Sequence, residues 1–216
     1  VVPRFSFGQY QFNATTIKAT GDLSRLNLAG QVANVVINDS INLPDATFSI
    51  VARNDSSRIS LVTSANQAVS RASLNADVIT YHNGVKIAFD SSSFVLNGKT
   101  WNIDQGGELI FRKNTNASGE VVLHESNQVI KLKTIPSTGS EWNDLLVDLT
   151  DVNIGDIAPY IMPKVKIEGL ISGKGKVQNP GSKMIITGDF DTKYLRLNND
   201  SLGEVSINRF IYDNNT

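Results

Sequence analysis

At 216 residues and 40% hydrophobic content, the chain has room for one large β domain or two small ones, and enough apolar surface to exclude wholesale disorder. Its 20 basic and 21 acidic residues leave a formal charge of -1, which supplies no global field for a polyanion and makes nucleic acid a poor partner. With no cysteine there is no disulfide framework, thiolate nucleophile or sulfur-ligated metal site, a composition equally suited to the cytoplasm and to a large envelope protein.

The opening VVPRFSFGQYQF alternates like a strand and carries neither an initiator methionine nor a signal peptide, so the chain reads as an internal fragment of a longer protein. No run is long and apolar enough to cross a bilayer. Triplets such as Asn13-Ala14-Thr15, Asn54-Asp55-Ser56 and Asn116-Ala117-Ser118 have the form of glycan acceptors, but an Asn-rich chain produces them by chance.

The dominant period is two. Phe5 and Phe7, Val35 and Ile37, Phe48 and Ile50, Ile59 and Leu61, Leu74 with Ala76 and Val78, and Val85 with Ile87 and Phe89 all alternate, as in strands with one apolar and one wetter face. Polar groups such as RNDSS and NTNASG read as the loops between them. Asn83-Gly84 and Asn97-Gly98 are type I′ turn signals. The second turn sets Leu96 opposite Lys99 and Phe94 opposite Trp101, so Phe94, Leu96, Trp101 and Ile103 share a face. The first sets Val78 opposite Phe89, with Val85 and Ile87 on the same side.

After Thr134 the pattern is interrupted by IPSTGSEWND; a strand from Leu145 to Leu149 then leads into a short helix expected over Ile154 to Ile161. Asn153 is placed to cap it, Ile154, Ile157 and Ile161 have helical spacing, and Pro159 and Pro163 keep it short. Strands resume from Lys164 to the end. The whole reads as all-β, many short strands with one short helix, in a single elongated domain over residues 1–216 with a candidate seam or helical interruption at 136–163. Two-residue turns argue against a parallel β-helix.

Catalytic chemistry has little support, and no cofactor is implied. His82 and His124 have no companion cluster that makes a base or a metal site. Asp189 and Asp191 fit a solvated strand face better than a glycosidase pair. Gly173-Lys174-Gly175-Lys176 lacks Walker spacing, and its glycines fit close packing or a thinned side of a curved sheet. Trp101 has three readings: packed core, an open apolar groove, or a platform for sugar.

The order Phe94-Val95-Leu96-Asn97-Gly98-Lys99-Thr100-Trp101-Asn102-Ile103, then Gly107-Glu108-Leu109-Ile110-Phe111, Leu145 to Leu149, Asn153 to Ile157, Ile167 to Gly175, Asn179-Pro180-Gly181, Gly188-Asp189-Phe190 and Leu202-Gly203-Glu204-Val205, resembles the translocation and assembly module TamB family of the AsmA-like group. The Asn content and variant loops resemble a homologue from the Bacteroidota. The resemblance implies an elongated curved β-sheet groove, β-taco-like, in the periplasm, belonging to a parent protein anchored in the inner membrane and reaching towards the outer one. It implies a non-enzymatic role in carrying phospholipid between the membranes, with acyl chains as the ligand and Val78, Val85, Ile87, Phe89, Phe94, Leu96, Trp101 and Ile103 lining the groove. The alternatives are a scaffold for outer-membrane protein assembly, with assembly proteins or β-barrel clients as partners, and a β-rich carbohydrate-binding adhesin.

Overall fold

Among the described residues alternation at period two becomes sixteen strands, and the chain is all-β. The computed structural model describes residues 2–7, 10–22, 24–38, 41–64, 69–112, 115–137, 143–158, 166–179, 184–198 and 200–213. The chain divides into two compact units, Val1–Glu108 and Leu109–Thr216. The segment expected to hold a seam falls inside the second unit, where a strand occupies Asp144–Asn153.

The first unit is an antiparallel meander. Strands β1 (Val2–Phe7), β2 (Tyr10–Gly21), β3 (Leu26–Asn38), β4 (Ile41–Arg53), β5 (Ser56–Ser64) and β6 (Val69–Tyr81) pair each with the next. Several run to 12 or 13 residues, longer than the short strands expected. The far edge of β6 is then shared. One end takes β7 (Gly84–Phe89), and the other takes β8 (Ser92–Leu96), which pairs with β9 (Lys99–Ile103). At the break between β7 and β8 the Ser92 hydroxyl donates to the Asn75 carbonyl at 3.1 Å and accepts from the Asn75 N–H at 2.8 Å, standing in for the interrupted ladder.

Register decides which side chains meet. Ile17, Gly30, Phe48, Leu61 and Leu74 form one row across β2 to β6, and Ala19, Leu28, Ile50, Ile59, Ala76 and Phe89 form the next, continuing onto β7. The Phe48 ring lies over Gly30, directly across the strand pair, where a larger residue would collide.

In the second unit β10 (Glu108–Arg112) is followed by a meander of β11 (Thr115–Glu125), β12 (Gln128–Ile135), β13 (Asp144–Asn153), β14 (Ile167–Gln178), β15 (Ile185–Leu197) and β16 (Asp200–Asp213). The NTNASG run expected as a loop is strand from Thr115 onward. Its polar side chains do not break the strand, because other side chains serve its backbone: the Thr134 hydroxyl accepts from the Gly119 N–H at 2.8 Å, and the Asn143 amide donates to the Ala117 carbonyl at 2.9 Å.

The short helix expected over Ile154 to Ile161 is described only at its start, as a 3-10 turn at Ile154–Asp156; Asn153 caps it as expected, its side chain accepting from the Gly155 N–H at 3.0 Å. Residues 159–161 lie outside the described residues, as do Pro163, Pro180 and Gly181 and the side chains of Phe5, Phe7, Val35 and Ile37.

Three cross-strand rows organise the second unit: Val121, Leu132, Val147, Gly175, Gly188 and Phe210; Leu123, Ile130, Leu149, Gly173, Phe190 and Ile207; and Leu145, Val177, Ile186 and Tyr212. Phe190 is the keystone of this face. Its ring would lie 2.9 Å from a Cβ placed on Gly173, 3.0 Å from one on Gly175 and 2.7 Å from one on Gly188, so three glycines form the bed it fills. Phe210 meets it edge-on, with ring centroids 6.0 Å apart. Replacing Phe190 with alanine empties this bed, and we expect a loss of about 2–4 kcal/mol of unfolding free energy by urea titration. Gly188→Val should be at least as damaging, because its Cβ would sit 2.6 Å from the Lys174 carbonyl oxygen.

Candidate functional site

All eight residues singled out in the sequence lie on one face of the first unit. In the second hairpin the expected register holds: Phe94 faces Trp101, Leu96 faces Lys99, and Asn97 and Gly98 take positive φ of 49° and 78°, the left-handed pair a type I′ turn needs. Phe94 pairs in turn with Ala72, on the same side of β6 as Ala76 and Val78.

The first hairpin differs. Its turn sits at His82-Asn83, Gly84 already pairs with Tyr81, and Val78 lies opposite Ile87, with Phe89 opposite Ala76 and Val85 opposite Thr80. The shift is two residues in register. Because strand side chains alternate with period two, Val78, Val85, Ile87 and Phe89 still share the face expected of them.

Exposure separates the eight. Seven are half-buried, whereas Trp101 is 1% exposed, with no hydrogen-bond partner for its indole N–H among the described residues. A ring so covered offers no open face to a sugar and does not itself touch a groove ligand; it anchors the rows around it. The other seven are the residues of this set with surface left to offer a ligand.

The sequence reading missed the equivalent face of the second unit. An apolar cavity of about 210 Å³ opens there, lined by Val147, Leu149, Ile171, Val177, Ile186, Phe190, Ile207, Phe210 and Tyr212 among others. The signal was present in the alternation of KMIITGDF and in the glycines opposite it. It became a site only through the pairing of β13 to β16, which no local pattern reveals.

The opposite faces are wet and carry ion pairs, interspersed with exposed Val62, Ile79, Leu146 and Ile211. In the first unit Arg58 forms a two-point ion pair with Asp77, its cross-strand partner, at 3.0 and 3.2 Å, and the bond holds the guanidinium proton more firmly than usual. In the second, Lys133 meets Glu120 at 2.8 Å, Lys176 meets Asp144 at 2.7 Å and Lys174 meets Asp148 at 3.8 Å. Hydrogen bonding to Glu120 raises the Lys133 pKa, as Asp151 raises that of Lys193. The Arg58 and Lys133 pairs are exposed and add little stability each, whereas the Asp144 carboxylate that meets Lys176 is buried.

The other chemistry considered in the sequence is absorbed into structure. Asp189 accepts from the Arg209 N–H at 2.8 Å and Asp191 from the Ser206 hydroxyl at 2.6 Å, while Lys174 and Lys176 serve the ion pairs above. Among the described residues no group of His, Asp and Glu side chains is placed to hold a metal ion. No family model, curated protein or solved structure matches this chain.

Removing Trp142, the other of the two tryptophans, isolates Trp101 for spectroscopy. The Trp142→Phe protein should emit at short wavelength and resist iodide quenching; ready quenching would show Trp101 to be solvent-accessible.

Proposed function

We propose that this chain is a non-enzymatic segment of a bacterial envelope protein whose one-sided apolar sheets carry phospholipid acyl tails across the periplasm. The observation behind this reading is the set of cross-strand apolar rows in each unit, half-buried and backed by a charged face. Most side chains in these rows keep part of their surface open and stop short of full burial. Sheet faces of this kind are under-covered for a sealed core, and an acyl chain is the apolar partner that fits them.

Moving a tail through water costs about 0.8 kcal/mol per methylene. A row of Ile, Val, Leu and Phe that continues from strand to strand keeps the tail dry at each step. Neighbouring positions are chemically alike, so no step is much deeper than the next. Direction is set by the lipid gradient between the membranes or by a partner protein. One feature supports the second reading, a scaffold for β-barrel clients: β16 ends the strand order and, among the described residues, pairs on one side only, leaving an edge for strand addition.

The test is transfer of a fluorescent phospholipid between donor and acceptor vesicles. Phe89→Asp, Leu96→Asp and Val147→Asp should each slow transfer about tenfold, since a carboxylate interrupts the apolar row. Ser49→Asp, on the exposed face, should leave it unchanged. Wild-type transfer by variants whose far-ultraviolet circular dichroism shows them folded would overturn the assignment.

A further inference from the structure

A second cavity of the second unit, about 530 Å³, is bordered by Lys166, Glu168, Gly169, Tyr194 and Arg196 together with the turn residues Gly155 and Asp156. We propose that it seats the headgroup of a zwitterionic phospholipid of the phosphoethanolamine type, whose tails enter the neighbouring apolar cavity. This deepens the transport reading and rests on it.

Position is the first argument. Ile167 lines both cavities, and the 3-10 turn straddles them: Ile154 lines the apolar one, Gly155 and Asp156 the polar one. A ligand polar at one end and apolar at the other is the chemical class that such adjoining sites accommodate.

Charge is the second. Glu168 lies between two cations, with Lys166 Nζ at 3.4 Å and Arg196 Nη1 at 3.7 Å, both longer than a good charge-assisted hydrogen bond. Ammonium and guanidinium carry three and five donors, so each retains capacity for a phosphate while near Glu168. Two cations and the carboxylates of Glu168 and Asp156 cancel, so a lone anion finds little net field. A group with a phosphate and an ammonium a few ångströms apart matches both signs: phosphate to Lys166 and Arg196, ammonium to Glu168 and the face of the Tyr194 ring.

Backbone strain is the third. Tyr194 has a φ of 57°, rare for a bulky residue, and is 74% exposed. It is skipped by the ladders on both sides of β15, as the extra residue of a bulge. The opposite strand accommodates it with Gly169, φ 134°, where a Cβ would lie 3.0 Å from the Lys193 carbonyl oxygen and 3.1 Å from that of Tyr194. A strained, bulged aromatic displayed at a cavity rim costs stability, and a ligand contact gives it a purpose.

The experiment titrates the chain calorimetrically with dioctanoyl phosphatidylethanolamine, dioctanoyl phosphatidylglycerol and dioctanoylglycerol. The ethanolamine lipid should bind more tightly than the glycerol lipid. Glu168→Gln should erase that preference, and Arg196→Gln should weaken both phospholipids about fivefold, as expected for one partly exposed charged contact. Dioctanoylglycerol should be indifferent to both variants. Tyr194→Gly should raise the unfolding midpoint by relieving strain and still weaken the ethanolamine lipid, a pair of effects no purely structural role produces. Equal affinity for the two phospholipids, or no response to the variants, with dioctanoylglycerol still bound, would overturn the headgroup site and leave the apolar reading intact. Failure of all three lipids to bind would overturn both, and free phosphoethanolamine binding as tightly as the lipid would overturn the link to the tails.

Discussion

Cross-strand register is the constraint on which everything else in this chain depends. A one-residue slip between β13 and β14 would turn Val147 and Leu149 away from Gly175 and Gly173 and send the Phe190 bed to the wetter side. Steric fit guards against that slip. Phe190 occupies space left by glycines on its own strand and on the facing strand, and Phe48 does the same over Gly30, so each aromatic ring has one register in which it fits. Cross-strand ion pairs add a second, weaker check from the opposite face, because Arg58 finds Asp77, and Lys133 finds Glu120, by the same register that assembles the apolar rows.

These devices matter more here than in a sealed domain. A fully buried core selects its own register through close packing; among the described residues few side chains are buried to that degree, Trp101, Val152 and Ile171 being examples. Most apolar residues stop at half-burial, and the lost burial has to be offset by backbone pairing along strands of up to 14 residues. Among the described residues the buried Trp101 indole N–H has no acceptor, and an unmade hydrogen bond there would cost about 1–3 kcal/mol for packing around the second hairpin to offset.

Strand periodicity made the fold class legible, because alternation at Phe48 and Ile50 or Val85 and Ile87 is a local property. Asn97-Gly98 was equally legible, since its two positive φ values favour those residue types. Asn83-Gly84 was not: β6 pairs with β5 from Arg71 to Ile79 and bonds β7 from Tyr81, and this tertiary pairing places the turn one residue earlier than the dipeptide signals. The NTNASG strand failed for the same reason, its loop-forming residues held extended by Thr134 and Asn143. The face of the second unit and the bulge at Tyr194 arise from pairing between distant segments, and a single strand's sequence does not encode which glycine will lie beneath which ring.

A lane for lipid tails and a seat for a headgroup make opposing demands. Passage needs positions of similar depth, whereas recognition needs one position that differs. The two are compatible when the seat is shallow. Lys166, Glu168 and Arg196 are 64%, 41% and 52% exposed at the side chain, so their contacts are screened by water and each contributes little. On the proposed reading a headgroup held by several such contacts would be oriented at the rim and released again, while the continuous apolar rows would carry the larger share of the binding energy. On the proposed reading the bulge would make this arrangement possible, because Tyr194 would reach a headgroup from a backbone position outside the ladder and leave the paired strands undisturbed.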